Sequence, residues 1–157
     1  MPAYVRPLLA ALLLFLIAAP ASLAQQLTRF PTGELTIESA SGRHKFTVEV
    51  ATTPAQLEQG LMFRRNLAPD AGMLFDFKTP SPVSMWMKNT FIPLDMLFID
   101  PQGRIINIAE RTVPHSLDPV AAAAPARAVL ELNGGTASRL GIRPGDRVVF
   151  PIFGTAS

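Results

Sequence analysis

The sequence predicts a mainly β single domain, a β-sandwich or partly closed β-barrel with one or two short helices. Three observations point there. Short segments alternate apolar and polar side chains with period two, as at Leu35 and Ile37 or Phe46, Val48 and Val50, which suits strands with one buried face. Many such short strand candidates follow one another at close spacing, separated by Gly- and Pro-containing turns. Helix-start chemistry is confined to two places.

Residues 1–24 read as an export signal. Arg6 is the only charge, an apolar run follows at 8–19, and Ser22 and Ala24 precede a cleavage point before Gln25. The run falls short of the roughly 20 apolar residues a membrane span needs. The expectation is a periplasmic or secreted protein with no stable membrane insertion after cleavage. Residues 25–33 then form a flexible arm, 34–152 the β domain and 153–157 a short tail.

Within the domain, 34–38 and 44–50 alternate and pair as a hairpin about Ser41-Gly42. Thr53 can cap a helix, Pro54 fits its first position and Gln56 completes a capping box. Gly60 ends that helix, with Leu57 and Leu61 toward the sheet. Further strands are predicted at 73–77, 83–88, 94–99, 104–109, 128–133 and 147–150, with a turn at 100–103. The stretch 110–125 has no amphipathic period and reads as a loop. Residues 134–141 read as one capped helical turn, and Arg143-Pro144-Gly145-Asp146 as a turn into the last strand.

Composition excludes several functions. Without the leader's Arg6, 13 Lys and Arg face 12 Asp and Glu, too even a balance for a nucleic-acid groove. With no Cys there is no thiol catalysis, thiolate metal site or redox exchange. Ser116, His115 and Asp118 are adjacent in sequence, whereas triads assemble from separated segments. His44 and His115 alone supply too few ligands for a mononuclear metal site. Met73, Met85, Met87 and Met96 raise copper, since thioethers suit Cu(I), but among Leu, Phe and Ile they read as core filling. No cofactor and no metal is expected.

The run from Ser84 to Asp100 carries the functional signal. It holds the only Trp, Trp86, and places Lys88, Asn89, Thr90 and Asp95 between apolar strands, where each polar group must find a partner or water. Asn107 and Glu131 sit likewise in apolar strands. If those faces converge, Lys88, Asp95, Asn107 and Glu131 form a polar cluster rimmed by Trp86. Arg64, whose guanidinium suits a carboxylate or phosphate, is a further candidate. Alternatively, Asn89 and Thr90 cap a turn, Asp95 holds its N–H groups and Lys88 pairs with Glu131, all structurally.

The chain also resembles the DUF192 family through Gly60-Leu61-Met62-Phe63-Arg64-Arg65, Gly72-Met73-Leu74-Phe75, Trp86-Met87-Lys88-Asn89-Thr90, Ile92-Pro93-Leu94-Asp95-Met96, Ala126-Arg127, Leu130-Glu131 and Gly141-Ile142-Arg143-Pro144-Gly145-Asp146. The resemblance implies a mainly β, sandwich-like domain, often exported in bacteria, with no established activity. Many relatives carry two Cys around 113–119, which this chain lacks; any function resting on them is absent here, whereas a loop clip is dispensable.

The resulting expectation is a non-catalytic module for a small molecule or a periplasmic partner, with Arg64, Trp86, Lys88, Asn89, Thr90, Asp95, Asn107 and Glu131 as binding candidates. The alternatives are a hydrolase or lyase using Asp95 and Glu131 with Lys88, and a purely structural or interaction protein.

Overall fold

Alternating side chains make β1 (Thr32–Ser39) and β2 (Gly42–Ala51) an antiparallel hairpin with Leu35 opposite Phe46. In this computed structural model, which describes residues 29–155, the turn is Ala40-Ser41, one residue before the expected pair. The predicted export signal lies outside the described residues. The ordered unit exceeds 34–152 at both ends. Phe30 packs on the core, Phe153 is buried, and the Phe150 N–H donates to Thr155 Oγ1 at 3.1 Å.

Helix α1 (Pro54–Gln59) forms with the predicted capping box. Gln56 N–H donates to Thr53 Oγ1 at 3.3 Å, and Thr53 N–H to Gln56 Oε1 at 3.1 Å. The Gln56 amide also donates to Arg29 O at 2.9 Å, pinning the chain that enters β1. The segment containing α1 is the crossover that lets β3 (Ala71–Ser81) lie parallel to β2. Strands β5 (Leu94–Ile99), β6 (Ile105–Ala109), β8 (Ala126–Asn133) and β9 (Arg147–Val149) complete a seven-stranded sheet of order β6-β5-β8-β3-β2-β1-β9. The sheet curls into a half-barrel. Its edges meet at one end, where Val148 N–H donates to Gly103 O at 2.7 Å and Arg104 bridges to Arg147.

Leu35, Ile37, Leu74, Leu97, Leu130 and Val148 belong to the core on the concave side. Met73, Phe75, Met96, Phe98 and Val129 face the other way, into a second core with Leu61 and Met87. A two-stranded sheet of β4 (Ser84–Met85) and β7 (Val120–Ala121) adds to that second layer. The central strands are therefore packed on both faces, and all six β5 residues are buried.

Only Ser84 and Met85 of the predicted 83–88 strand pair, since β7 is two residues long. The alternation nevertheless persists: Val83 and Met87 are buried, Trp86 and Lys88 exposed. The chain then turns at Asn89, with φ +54°. The stretch 110–125 is held in place by Met87 N–H to Ser116 O (3.0 Å), His115 N–H to Thr90 O (3.1 Å) and Ala122 N–H to Val83 O (2.9 Å).

Two buried carboxylates serve the fold. Asp95 is fully buried and accepts the backbone N–H groups of Arg111, Gly135 and Ala137, each at 2.8 Å. It thereby ties β5 to the chain after β6 and to α2 (Thr136–Leu140). Asp76 accepts from Arg127 Nε (3.0 Å), Lys78 N (2.9 Å) and Lys78 Nζ (3.1 Å). Burial alone would raise its carboxyl, but these contacts outweigh it and hold the group below the ordinary range.

Asp95→Ala leaves three N–H groups without their acceptor, at about 1–3 kcal/mol each. Urea denaturation is expected to show a loss of at least about 3 kcal/mol, and a smaller one for Asp95→Asn, which keeps one acceptor oxygen. A loss below about 1 kcal/mol for Asp95→Ala would mean that water replaces the carboxylate.

Candidate functional site

Glu131 interrupts the apolar run of β8. The register sets it opposite Met73 of β3 and Met96 of β5, on the convex side of the sheet. It is only 4% exposed. Burial pushes its carboxyl from 4.5 up to about 8, and no hydrogen bond or cation offsets that penalty. Among the described residues no fully enclosed side-chain N or O lacks a partner. The carboxyl must therefore reach open space, and that space is a cavity of about 160 Å³ with Glu131 on its floor.

Local sequence explains the walls. One side is α1 and its exit: Leu57, Gly60, Leu61 and Met62. The C-cap Gly60 has φ +47°, and a Cβ there would stand 2.9 Å from Phe75 Cζ. Only glycine combines that turn with that approach. Strand β3 contributes Phe75 and Phe77, and the opposite wall is Met85, Trp86 and Thr90. Thr90 Oγ1 donates to Lys88 O at 3.2 Å, closing the bend there. Glu58, Gln59 and Ser84 complete the lining, in which no Lys, Arg or His takes part among the described residues.

Trp86 is 47% exposed and borders two further depressions. One, about 300 Å³, lies toward Phe63, Lys88 and Asn89; the other, about 290 Å³, toward Leu117 and Pro119. The Lys88 ammonium sits 4.9 Å from the Trp86 ring centroid, a cation–π distance.

The structure thus brings Trp86, Thr90 and Glu131 to one cavity, with Lys88 and Asn89 in the adjoining depression. The wider cluster expected of Lys88, Asp95, Asn107 and Glu131 does not form. Asp95 is in register with Leu132 and Glu131 with Met96, so the two carboxyls point to opposite faces of the sheet. Asn107 bonds instead to Ala121 O (3.2 Å) and the Ala123 N–H (2.9 Å). Arg64 is ion-paired with Glu49 and lies 5.9 Å over Phe30. Lys88 pairs with neither Asp95 nor Glu131 and stays exposed.

Sequence reasoning missed Gly60, Met62, Phe75, Phe77 and Met85 as lining residues. Three of them, Gly60, Met62 and Phe75, lie in segments that carry the family resemblance, which was the available signal. Of the methionines weighed for copper, Met85 reaches the cavity. Met73 and Met96 are fully buried beside Glu131, and the Met87 sulfur accepts from Thr112 Oγ1 at 3.1 Å. His44 bonds to Ser39 and Ser41 (3.1 and 2.9 Å), and His115 stacks on Phe91 at 5.1 Å.

At neutral pH the Glu131 carboxyl is largely protonated and can donate a hydrogen bond; facing a cation it can ionise instead. Because its folded pKa is raised, the native state holds a proton that the unfolded chain releases above 4.5. Stability is full below that value and falls as pH rises toward about 8. Glu131→Gln is expected to flatten the decline in urea stability between pH 5 and 8, by up to about 1.4 kcal/mol per unit. Parallel profiles for wild type and variant would show the carboxyl to be solvated and ionised.

The sequence profile of DUF192, described as an uncharacterized ACR family, matches residues 36–150. A crystal structure from Sinorhizobium meliloti 1021, labelled a proposed transcription regulator, is 52% identical with a TM-score of 0.75, covering 78% of this chain and 95% of that one. A protein of unknown function from Novosphingobium aromaticivorans DSM 12444 is 44% identical with a TM-score of 0.77, covering 80% of this chain and 89% of its own. No curated protein matches. The fold, the ordered set of motifs and the extent of the match lead to one assignment: the chain belongs to the DUF192 family.

Proposed function

We propose that this protein is an exported, non-catalytic binding module that takes a small ligand in the cavity between α1 and the Trp86 segment. The observation that carries the reading is a buried carboxyl, uncompensated by any cation, on the floor of an open, mostly apolar cavity. Such a group costs stability unless something pairs with it, and mostly apolar walls with a few convergent polar groups are the usual make-up of a small-molecule site. Export rests on the leader pattern at 1–24. A hydrolase or lyase built on Asp95 and Glu131 loses its carboxylate pair, because the sheet separates the two. The two α-helices among the described residues span six and five residues, which gives no support to a helix-turn-helix reading of the regulator label carried by the S. meliloti relative.

A thermal-shift and Trp86 fluorescence screen of small amphipathic molecules tests this. Hits are expected to raise the melting midpoint and perturb the emission of the single Trp. Ser84→Phe, placed at an exposed lining position, should block them, whereas Lys88→Ala, which touches the cavity only through the outer contact of its ammonium with the Trp86 ring, should leave the midpoint shift in place. Binding abolished by Lys88→Ala and untouched by Ser84→Phe would move the site out of the cavity. An empty screen would remove the reading.

A further inference from the structure

The cavity that binds in the reading above has a one-signed lining. Glu131 is on the floor and Glu58 among the lining residues, and no Lys, Arg or His lines it among the described residues. Glu131 is nine-tenths buried and has no ion-pair partner. With no hydrogen-bond donor or cation of the protein against it, a carboxylate so placed is strongly stabilised as the anion by a cation brought into contact with it. Apart from the uncharged polar side chains of Gln59, Ser84 and Thr90, the remaining lining is soft and apolar, with the thioethers of Met62 and Met85, the rings of Phe75 and Phe77, and the indole of Trp86. Trp86 already holds one ammonium, that of Lys88, 4.9 Å from its ring centroid. At about 160 Å³ the space is below the ~300–1,000 Å³ of pockets for drug-sized ligands.

Resting on the binding reading, we propose that the ligand of this cavity is a small primary amine with an apolar body, its ammonium paired with Glu131 and its body held by Met62, Met85 and Trp86. A carboxylate on the ligand would meet Glu58 and Glu131, so simple amines are favoured over amino acids. Binding releases one proton, lost from the Glu131 carboxyl to solvent, while the amine keeps its own. The charged groups near Glu131 are Glu58 on α1 and, beyond Trp86, Lys88; β3 and β5 present Met73, Phe75 and Met96 to it.

Isothermal titration of the full protein with benzylamine and with its neutral counterpart, benzyl alcohol, decides the matter. Benzylamine is expected to bind more tightly, with affinity rising toward tenfold per pH unit from pH 6 and levelling near pH 8. Buffers of different ionisation enthalpy should report release of nearly one proton. Glu131→Gln is expected to weaken benzylamine at least tenfold and remove the pH slope; should that variant fail to fold, proton release by the wild type still decides. Benzyl alcohol binding as tightly, with affinity falling above pH 8, would mean that a neutral carboxyl donates to an uncharged ligand, overturning the amine while leaving the cavity's binding role intact. Benzylamine binding without a pH slope or proton release would also overturn it, as would other compounds perturbing Trp86 when benzylamine does not. If no compound binds, both readings fall.

Discussion

Strand β8 lies between β3 and β5 with apolar layers on both faces of the sheet, and that double burial governs every polar group the central strands carry. In a half-exposed sheet a carboxylate on the outer face would simply meet water. Here each must be satisfied within the protein or shed its charge. Asp95 is satisfied by three backbone N–H groups, and Asp76 by Arg127 and Lys78. Glu131 finds no such partner and keeps its proton instead. The same constraint thus produces two joints of the scaffold and one group left available for chemistry.

The cavity in front of Glu131 follows from the one parallel pairing of the sheet. Parallel β2 and β3 require a crossover, and the crossover chain runs over the convex face. Its helix is short because Thr53 and Pro54 start it and Gly60 ends it within two turns. At Gly60 the chain approaches Phe75 as closely as a missing Cβ permits. The wall opposite is the 84–90 segment, steadied from behind by hydrogen bonds from the 112–122 stretch. The space is a gap between two coverings of one sheet. That geometry suits retention of a small molecule, because the space is already open between its walls.

Much of the scaffold was legible in the chain. Period-two alternation located most strands, because side-chain parity is a local property of extended backbone. The capping box at Thr53 and Gln56 is equally local: donor and acceptor are three residues apart. Short β4 and β7 were not legible as partners, since two-residue strands leave no pattern and their pairing joins residues 35 and 37 apart.

The candidate site divides along the same line. The sequence by itself determined that Glu131, Asp95 and Asn107 would be polar groups in apolar strands, that Trp86 would stand beside Lys88, and that the family motifs marked these segments. Only the tertiary structure decided which of them share a cavity. Parity within a strand says which residues point the same way, but not which face of a neighbouring strand they join. That choice depends on register, and a shift of one residue reverses it. With Met96 rather than Asp95 opposite Glu131, Asp95 became a structural anchor and Glu131 the floor of the site.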